Sequence, residues 1–284
     1  MSDSRVLSTA TPRDLYLDLM ARVLTRTGFE GSGSGGLVNV SKHSYAAYLR
    51  DLLFDSLAPA QVALVQALPA DPEDRAEGRG WPSADAETMI GLRRLANIRE
   101  CVEAVITEGT PGDLVETGVW RGGATIYMRA ILAAHGVTDR QIWACDSFEG
   151  LPPPSEEHFP HDAGDVLYTA EALAVTVEQV KDNFRRYDLL DDKVTFVKGW
   201  FEETIPSAPI EQIAVLRLDG DMYSSTIVVL ENLYDKVTPG GFVILDDYVE
   251  IAACRQATED FRAKREITDP VKAIDRSGAF WRKS

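Results

Sequence analysis

Two acidic clusters stand close together in the second half of the sequence: Leu216-Arg217-Leu218-Asp219-Gly220-Asp221 and Val243-Ile244-Leu245-Asp246-Asp247. Each follows a short apolar run of the kind that forms a buried parallel strand. Carboxylates delivered to one sheet edge repel one another, and a desolvated carboxylate is costly. A bound divalent cation relieves both penalties. Upstream, Glu116-Thr117-Gly118-Val119-Trp120-Arg121-Gly122-Gly123 closes another apolar run. Glycine there permits close approach of backbone to ligand, and a helix start beyond it offers free N–H groups. Thr117 and Arg121 break the G-x-G-x-x-G dinucleotide fingerprint. Asp146 ends the next apolar run, where doubly wound folds place an acid on ribose hydroxyls; the alternative is an Asp cap before Ser147-Phe148. Together these features predict a nucleotide-like cofactor beside a metal in one cleft.

The elements that must carry these residues divide near residue 110. Before it, Leu15, Leu19, Val23 and Leu24 recur at helical spacing behind Thr11 as cap and Pro12 at the first helical position. Gly31-Ser32-Gly33-Ser34-Gly35-Gly36 predicts a flexible loop, and it lacks the Gly-Lys-Ser/Thr of a phosphate loop. Short helices are expected at Tyr45–Leu57 and Pro59–Leu68, an exposed charged stretch at Asp71–Gly80, and a long helix at Ala84–Glu108. After residue 110, apolar runs and helical stretches alternate. Strands are expected at Asp113–Val119, Gln141–Cys145, Val194–Val197, Ile213–Leu218 and Gly241–Leu245. Helices are expected at Gly123–His135, Val175–Tyr187, Ser224–Lys236 and Ala252–Arg265. Alternation of this kind means an α/β, doubly wound, mostly parallel sheet. Val271–Ile274 and Ala279–Arg282 with no helix between them predict a closing hairpin and one antiparallel edge strand. The domain reading is a helical extension over 1–110 and a cofactor-binding core over 111–284.

Composition narrows the partners. With 45 Asp+Glu against 29 Lys+Arg, the net charge is -16. A field of that sign repels phosphate backbones, so nucleic acid is excluded as an expected partner. Cys101, Cys145 and Cys254 are too scattered for a zinc knuckle or a disulfide framework and fit a reducing, cytoplasmic compartment. No apolar run has signal or membrane-spanning length, so no membrane partner is expected.

Thr88-Met89-Ile90-Gly91, Glu116 through Gly123, Asp146-Ser147-Phe148, Gly199-Trp200-Phe201, Leu218 through Asp221, Gly240-Gly241-Phe242 with Asp246-Asp247-Tyr248, and Trp281-Arg282 occur in this order. In this the sequence resembles the class I methyltransferases that use S-adenosylmethionine, and more narrowly the macrocin O-methyltransferase family, which methylates sugar hydroxyls on macrolide and aminocoumarin antibiotics. The resemblance runs from about Pro82 to the end and includes the Leu15-Tyr16-Leu17 helix; residues 28 to 80 match poorly. It implies a Rossmann-like fold and a homodimer. It also implies S-adenosyl-L-methionine and Mg2+ as cofactors and a small glycosylated substrate.

In that resemblance Asp219, Asp246 and Asp247 hold magnesium and Asp221 is the general base. Glu116, Gly118 and Gly122 lie along the methionine part, Asp146 accepts from the ribose, and Ser147 and Trp200 border the adenine, with Gly199 giving room. Thr88 and Met89 close over the cofactor, and Asp219 borders it as well as the metal.

Three rivals stay open from sequence. A phenol or catechol acceptor needs less activation, because a phenol has a pKa near 10. A nicotinamide oxidoreductase could use the same sheet, against the broken fingerprint. A binding subunit without activity would have no use for the acidic set. The Pro-rich stretch Leu151–Asp162 reads as a lid over the acceptor, and its His158 and His161 as metal ligands, as an alternative base, or as neither.

Overall fold

The computed structural model describes residues 10–28, 34–37, 65–68, 72–79, 82 and 85–284. Its first helix, α1 (Pro12–Thr25), begins as the sequence predicts. The Thr11 hydroxyl accepts from the Asp14 N–H at 3.2 Å, and the Asp14 carboxylate accepts from the Thr11 N–H at 2.9 Å. Two short strands, β1 (Ser34–Leu37) and β2 (Val65–Leu68), pair antiparallel. This corrects two expectations. The glycine-rich segment is a strand from Ser34 onward, and Val65–Leu68 is not helical, because backbone pairing between them overrides local preference. The expected helix Tyr45–Leu57 lies outside the described residues.

Helix α2 (Pro72–Glu77) falls within the stretch expected to be exposed, yet Glu77 is buried. Helix α3 is Leu92–Thr107, so the helix expected from Ala84 starts eight residues late. Gly91 caps it and sits against α2. A Cβ at Gly91 would lie 2.2 Å from the Ala76 carbonyl oxygen, which forces the close crossing.

The remaining elements follow the expected alternation. They are β3 (Asp113–Thr117), α4 (Gly123–Ala134), β4 (Ile142–Asp146), α5 (Val177–Arg186), β5 (Val194–Lys198) and a single turn α6 (Phe201–Thr204). Then come β6 (Ile213–Leu218), α7 (Tyr223–Leu233), β7 (Val237–Leu245), α8 (Ala252–Lys264), β8 (Lys272–Ala273) and β9 (Ala279–Arg282). The sheet order is β5-β4-β3-β6-β7-β9-β8. The first five strands are parallel; β9 pairs antiparallel with β7, and β8 antiparallel with β9. Both arms of the closing hairpin enter the sheet: β9 is the one strand that runs against the others, and β8 beyond it runs parallel to β7 again.

Each sheet face builds its own core. Leu114, Ile142, Ala144 and Val215 pack with α1, α3, α4 and α5. Val115, Leu216, Leu218, Val243 and Trp281 pack with α7 and α8. Complete burial of side chains such as Leu114 or Leu216 contributes roughly 1.5–3 kcal/mol each.

Register then places the chemistry. Thr117 pairs with Cys145 and with Leu218, and Leu218 pairs with Leu245. Gly118, Asp146, Asp219 and Asp246 therefore sit at one level at the carboxyl ends of β3, β4, β6 and β7. The strand order reverses at β3, where open α/β sheets bind ligands.

Candidate active site

A cleft opens at this reversal, where open α/β sheets bind small molecules. Gly118, Asp146, Ser147, Trp200, Asp219 and Asp221 line it, as does Met89 from the segment before α3. Leu151 and Pro152 bring the Pro-rich stretch to the same wall, and Leu173 joins them from the turn Glu171–Leu173. The structure thus gathers seven sequence-predicted site residues into one cavity.

Six others do not line it: Asp246 and Asp247 lie beside it with Asp219, and four are turned elsewhere. Gly122 has φ 90 and faces α5, where an added Cβ would lie 2.8 Å from Val180. Gly199 has φ 142, and an added Cβ would meet Thr204 at 2.6 Å. Thr88 is buried and accepts from the Ile90 N–H at 3.3 Å, while its Cβ packs on Gly123. Glu116 alternates with the cavity-facing chain end and turns under α4, bonded to the Thr125 hydroxyl and to Arg217. Burial pushes its carboxyl up to about 7 against the pull of Arg217.

Asp219, Asp246 and Asp247 each offer a carboxylate oxygen, all within 4.8 Å of one another, and they form the metal-competent group found among the described residues. The fit to a hard divalent cation rests on three observations. First, the donors are all carboxylate oxygens. Second, the buried Asp247 Oδ2 has no hydrogen-bond partner. Third, Asp219 keeps 31% of its side-chain surface open, so a ligand in the cleft can reach it.

The electrostatics agree. Burial and the Asp246 charge raise Asp219 to about 6. Burial and the charges of Asp219, Asp246 and Asp165 raise Asp221 to about 8. Burial, with Asp221 and Asp219 nearby, raises Asp247 well above the carboxylate range. Each shift favours the protonated carboxyl, the direction that crowded carboxylates take without a cation among them.

Two arginines that sequence reasoning passed over organise it. Arg217, 1% exposed, pairs with Glu116 and Asp246 and lies 3.0 Å from Asp219 Oδ2. Arg94 of α3 pairs with Asp246, reaches Asp275 at 3.2 Å, and donates to the Glu77 carbonyl at 3.1 Å. Arg217 carried a readable signal, because a charge inside the apolar strand Ile213–Leu218 must have a buried partner. Arg94, in an ordinary amphipathic helix, carried none.

Asp146 gathers loop N–H groups at the cleft and caps no helix. Its Oδ2 accepts from the Val119 and Trp120 N–H groups at 2.6 and 3.3 Å, and its Oδ1 from Phe148 N–H at 2.6 Å, while the residue lines the cleft. His158 bonds Ser155 at 2.9 Å, and the His161 ring stacks on Tyr223 at 4.9 Å; neither joins the carboxylate group.

A profile of the macrocin O-methyltransferase (TylF) family matches residues 13–283. The chain belongs to the macrocin O-methyltransferase family. Among curated relatives of this O-methyltransferase, the Streptomyces olivaceus 8-demethyl-8-(2,3-dimethoxy-alpha-L-rhamnosyl)-tetracenomycin-C 4'-O-methyltransferase is 48% identical over 96% of this chain and 94% of the relative. The Streptomyces niveus demethyldecarbamoylnovobiocin O-methyltransferase is 46% identical over 97% and 96%. The Micromonospora griseorubida mycinamicin III 3''-O-methyltransferase is 41% identical over 98% and 100%. The solved structure of the O-methyltransferase NovP superposes with a TM-score of 0.81 at 46% identity, covering 96% of this chain and 99% of that one. The calicheamicin methyltransferase CalS11, at 17% identity, TM-score 0.55 and coverage of 87% and 96%, shares the fold. The fold is that of the class I S-adenosylmethionine-dependent O-methyltransferases.

Proposed function

We propose that this O-methyltransferase takes a methyl group from S-adenosylmethionine and places it on a hydroxyl of a deoxysugar attached to a natural product. One arrangement carries the reading: Asp221 lines the same cleft as Gly118 and Asp146, beside the carboxylates of Asp219, Asp246 and Asp247. The relatives named for methylation of a rhamnosyl-tetracenomycin, of demethyldecarbamoylnovobiocin and of mycinamicin III support the acceptor class.

Bound S-adenosylmethionine would supply an electrophilic methyl group, and magnesium held by Asp219, Asp246 and Asp247 would lower the pKa of the acceptor hydroxyl. A sugar hydroxyl is a weak acid, near the about 15.7 of bulk water, beyond the reach of an unaided carboxylate. Asp221 would accept that proton as the acceptor oxygen bonds the methyl carbon and the methyl–sulfur bond breaks, the neutral thioether S-adenosylhomocysteine leaving. Gly118, Asp146, Met89 and Trp200 line the cleft and orient the cofactor. Such positioning supplies about 7–11 kcal/mol of a bimolecular barrier. Arg217 and Arg94 hold Asp246 in place from behind.

The test is methyl transfer from labelled S-adenosylmethionine to a panel of rhamnosylated and other glycosylated acceptors and simple catechols, with and without chelator. Glycosides should be methylated only when magnesium is restored. Activity indifferent to complete chelation overturns the metal role, and preference for catechols overturns the acceptor class. Asp221→Asn should lower turnover at least about 100-fold, as loss of a general base does, with cofactor affinity unchanged. A near-normal rate removes Asp221 as base.

The reading extends to the rest of the chain. Residues 1–110 form the acceptor-side extension and 111–284 the cofactor core. Leu15, Tyr16 and Leu19 expose an apolar stripe on α1 that suits a second copy, giving a homodimer that light scattering can test. Among the described residues no helix is long and apolar enough to cross a membrane, and three buried free thiols suit a reducing cytoplasm.

A further inference from the structure

Helix α7 starts directly after Asp221, and its start is unusual. Asp221 has φ 56, a left-handed conformation that costs a non-glycine residue energy and persists only when its surroundings enforce it. The cap position is Met222, whose side chain accepts no hydrogen bond. The first N–H groups of α7 thus lack a cap from their own segment. Asp162 supplies one from a distant turn. Its Oδ1 accepts from the Tyr223 N–H at 2.6 Å and its Oδ2 from the Ser224 N–H at 3.0 Å. Asp162 is only 2% exposed, and no other role in the reaction uses its carboxylate. Its neighbour His161 stacks on Tyr223, and Phe159 approaches the same ring at 6.2 Å. The segment that Asp162 anchors also carries Leu151, Pro152 and Leu173, which form one wall of the cleft.

We propose that Asp162 is a positioning residue: by capping α7 from the Pro-rich segment, it holds the backbone of Asp221 in its productive conformation and docks the cleft wall beside it. This inference rests on the reading of Asp221 as the base. The two ends of the cap need each other. Without Asp162, the Tyr223 and Ser224 N–H groups turn to water, and the turn at Gly220-Asp221-Met222 keeps only the hydrogen bond from the Met222 N–H to the Gly220 carbonyl to hold its left-handed form. Without docking on α7, the turn Pro160–Asp162 loses its buried anchor, and the wall that faces the acceptor loosens.

Three variants of the full-length enzyme test the inference: Asp162→Ala, which removes the cap; Asp162→Asn, which keeps an acceptor oxygen at the same reach; and Asp162→Glu, which keeps the charge but displaces it. Hydrogen exchange on the magnesium-loaded protein reads the cap without turnover. Asp162→Ala should speed exchange both in peptides spanning 220–226 and in those spanning 157–169. With the best glycoside from the panel, kcat should fall about tenfold in Asp162→Ala, while Asp162→Asn stays within about threefold of wild type. The loss should vanish in an Asp221→Asn background, because Asp162 acts through Asp221. Exchange unchanged at both segments overturns the proposal on its own. So does a kcat loss in Asp162→Ala that persists at full size beside Asp221→Asn. If Asp162→Ala fails to fold, the other two variants decide. Wild-type kcat in Asn with a lowered value in Glu supports the cap, and equal wild-type kcat in both overturns it. An active Asp221→Asn enzyme defeats the base assignment instead, and the exchange result still reports whether Asp162 caps the helix.

Discussion

The acid cluster gains its character from the residue behind it. Arg217 touches Glu116, Asp219 and Asp246 in a fully buried position. Five carboxylates (Glu116, Asp219, Asp246, Asp247 and Asp275) share the charges of Arg94 and Arg217, and Asp221 adds a sixth beside them, so the cluster keeps an excess of negative charge when ionised. Removing one partner from a buried ion pair costs about 3–5 kcal/mol, because the charge left behind has no water. Arg217→Met should therefore destabilise the metal-free protein by about that amount in urea denaturation. Saturating magnesium should recover a larger share of stability in this variant than in wild type. Equal magnesium responses in the two proteins would show that Arg217 and the cation do not serve the same carboxylates.

Among the elements, the critical contact is where β3 and β6 leave the sheet. The two strands pair through Thr117 and Leu218, and the next residues turn toward the cleft. Gly118 has φ 86, and a Cβ there would lie 1.5 Å from the Asp219 carbonyl oxygen. No rotamer relieves a clash with backbone, so the strand ends would have to separate. Gly118→Ala should cost more than about 4 kcal/mol, in the range of severe core lesions, and should lower affinity for S-adenosylmethionine in calorimetry. Retention of wild-type stability would mean that these two loops move freely, contrary to the geometry. The helices mark the limit of local reading. Thr11 and Pro12 announced the start of α1, while α3 begins at Leu92, capped by Gly91, instead of at Ala84. Met89 fits a helical stripe with Leu92, Leu95 and Ile98, but tertiary contact draws it into a non-helical segment. That segment is pinned by the Gly123 N–H to the Glu87 carbonyl at 2.8 Å and by the Glu87 N–H to Leu24 at 3.0 Å.

For the molecule as a whole, the cluster links folding to pH. An aspartate has an unfolded pKa of about 3.9. In the folded, metal-free protein Asp219 lies at about 6 and Asp221 at about 8, both raised by burial and by neighbouring carboxylates. The folded state thus binds more protons than the unfolded state between these values. The stability tied to this difference is complete below about pH 3.9 and is lost as pH rises through about 6 and then about 8. In chelator, the melting temperature should fall from pH 5 to pH 9. With magnesium the decline should be shallower, since the cation displaces the protons, and apparent magnesium affinity should rise over the same window. A flat melting temperature across that range without metal would contradict the clustering of these groups.

The sequence by itself determined the alternation of strands and helices, the acids at strand ends, and therefore the doubly wound sheet and the family. Those features are local: apolar runs set the strands, and an acid directly after a run must emerge at its end. Tertiary structure alone decided which side chains face the cleft. Glu116 and Asp219 both stand at the ends of buried strands, yet pleat and register turn one beneath α4 and leave the other open to ligand. It also decided that Arg94, 152 positions from Asp246, completes the pair, and that Asp162 caps a helix 61 residues further on. Partners so far apart in the chain leave no pattern in either segment, because only packing of the finished fold brings their charges within reach.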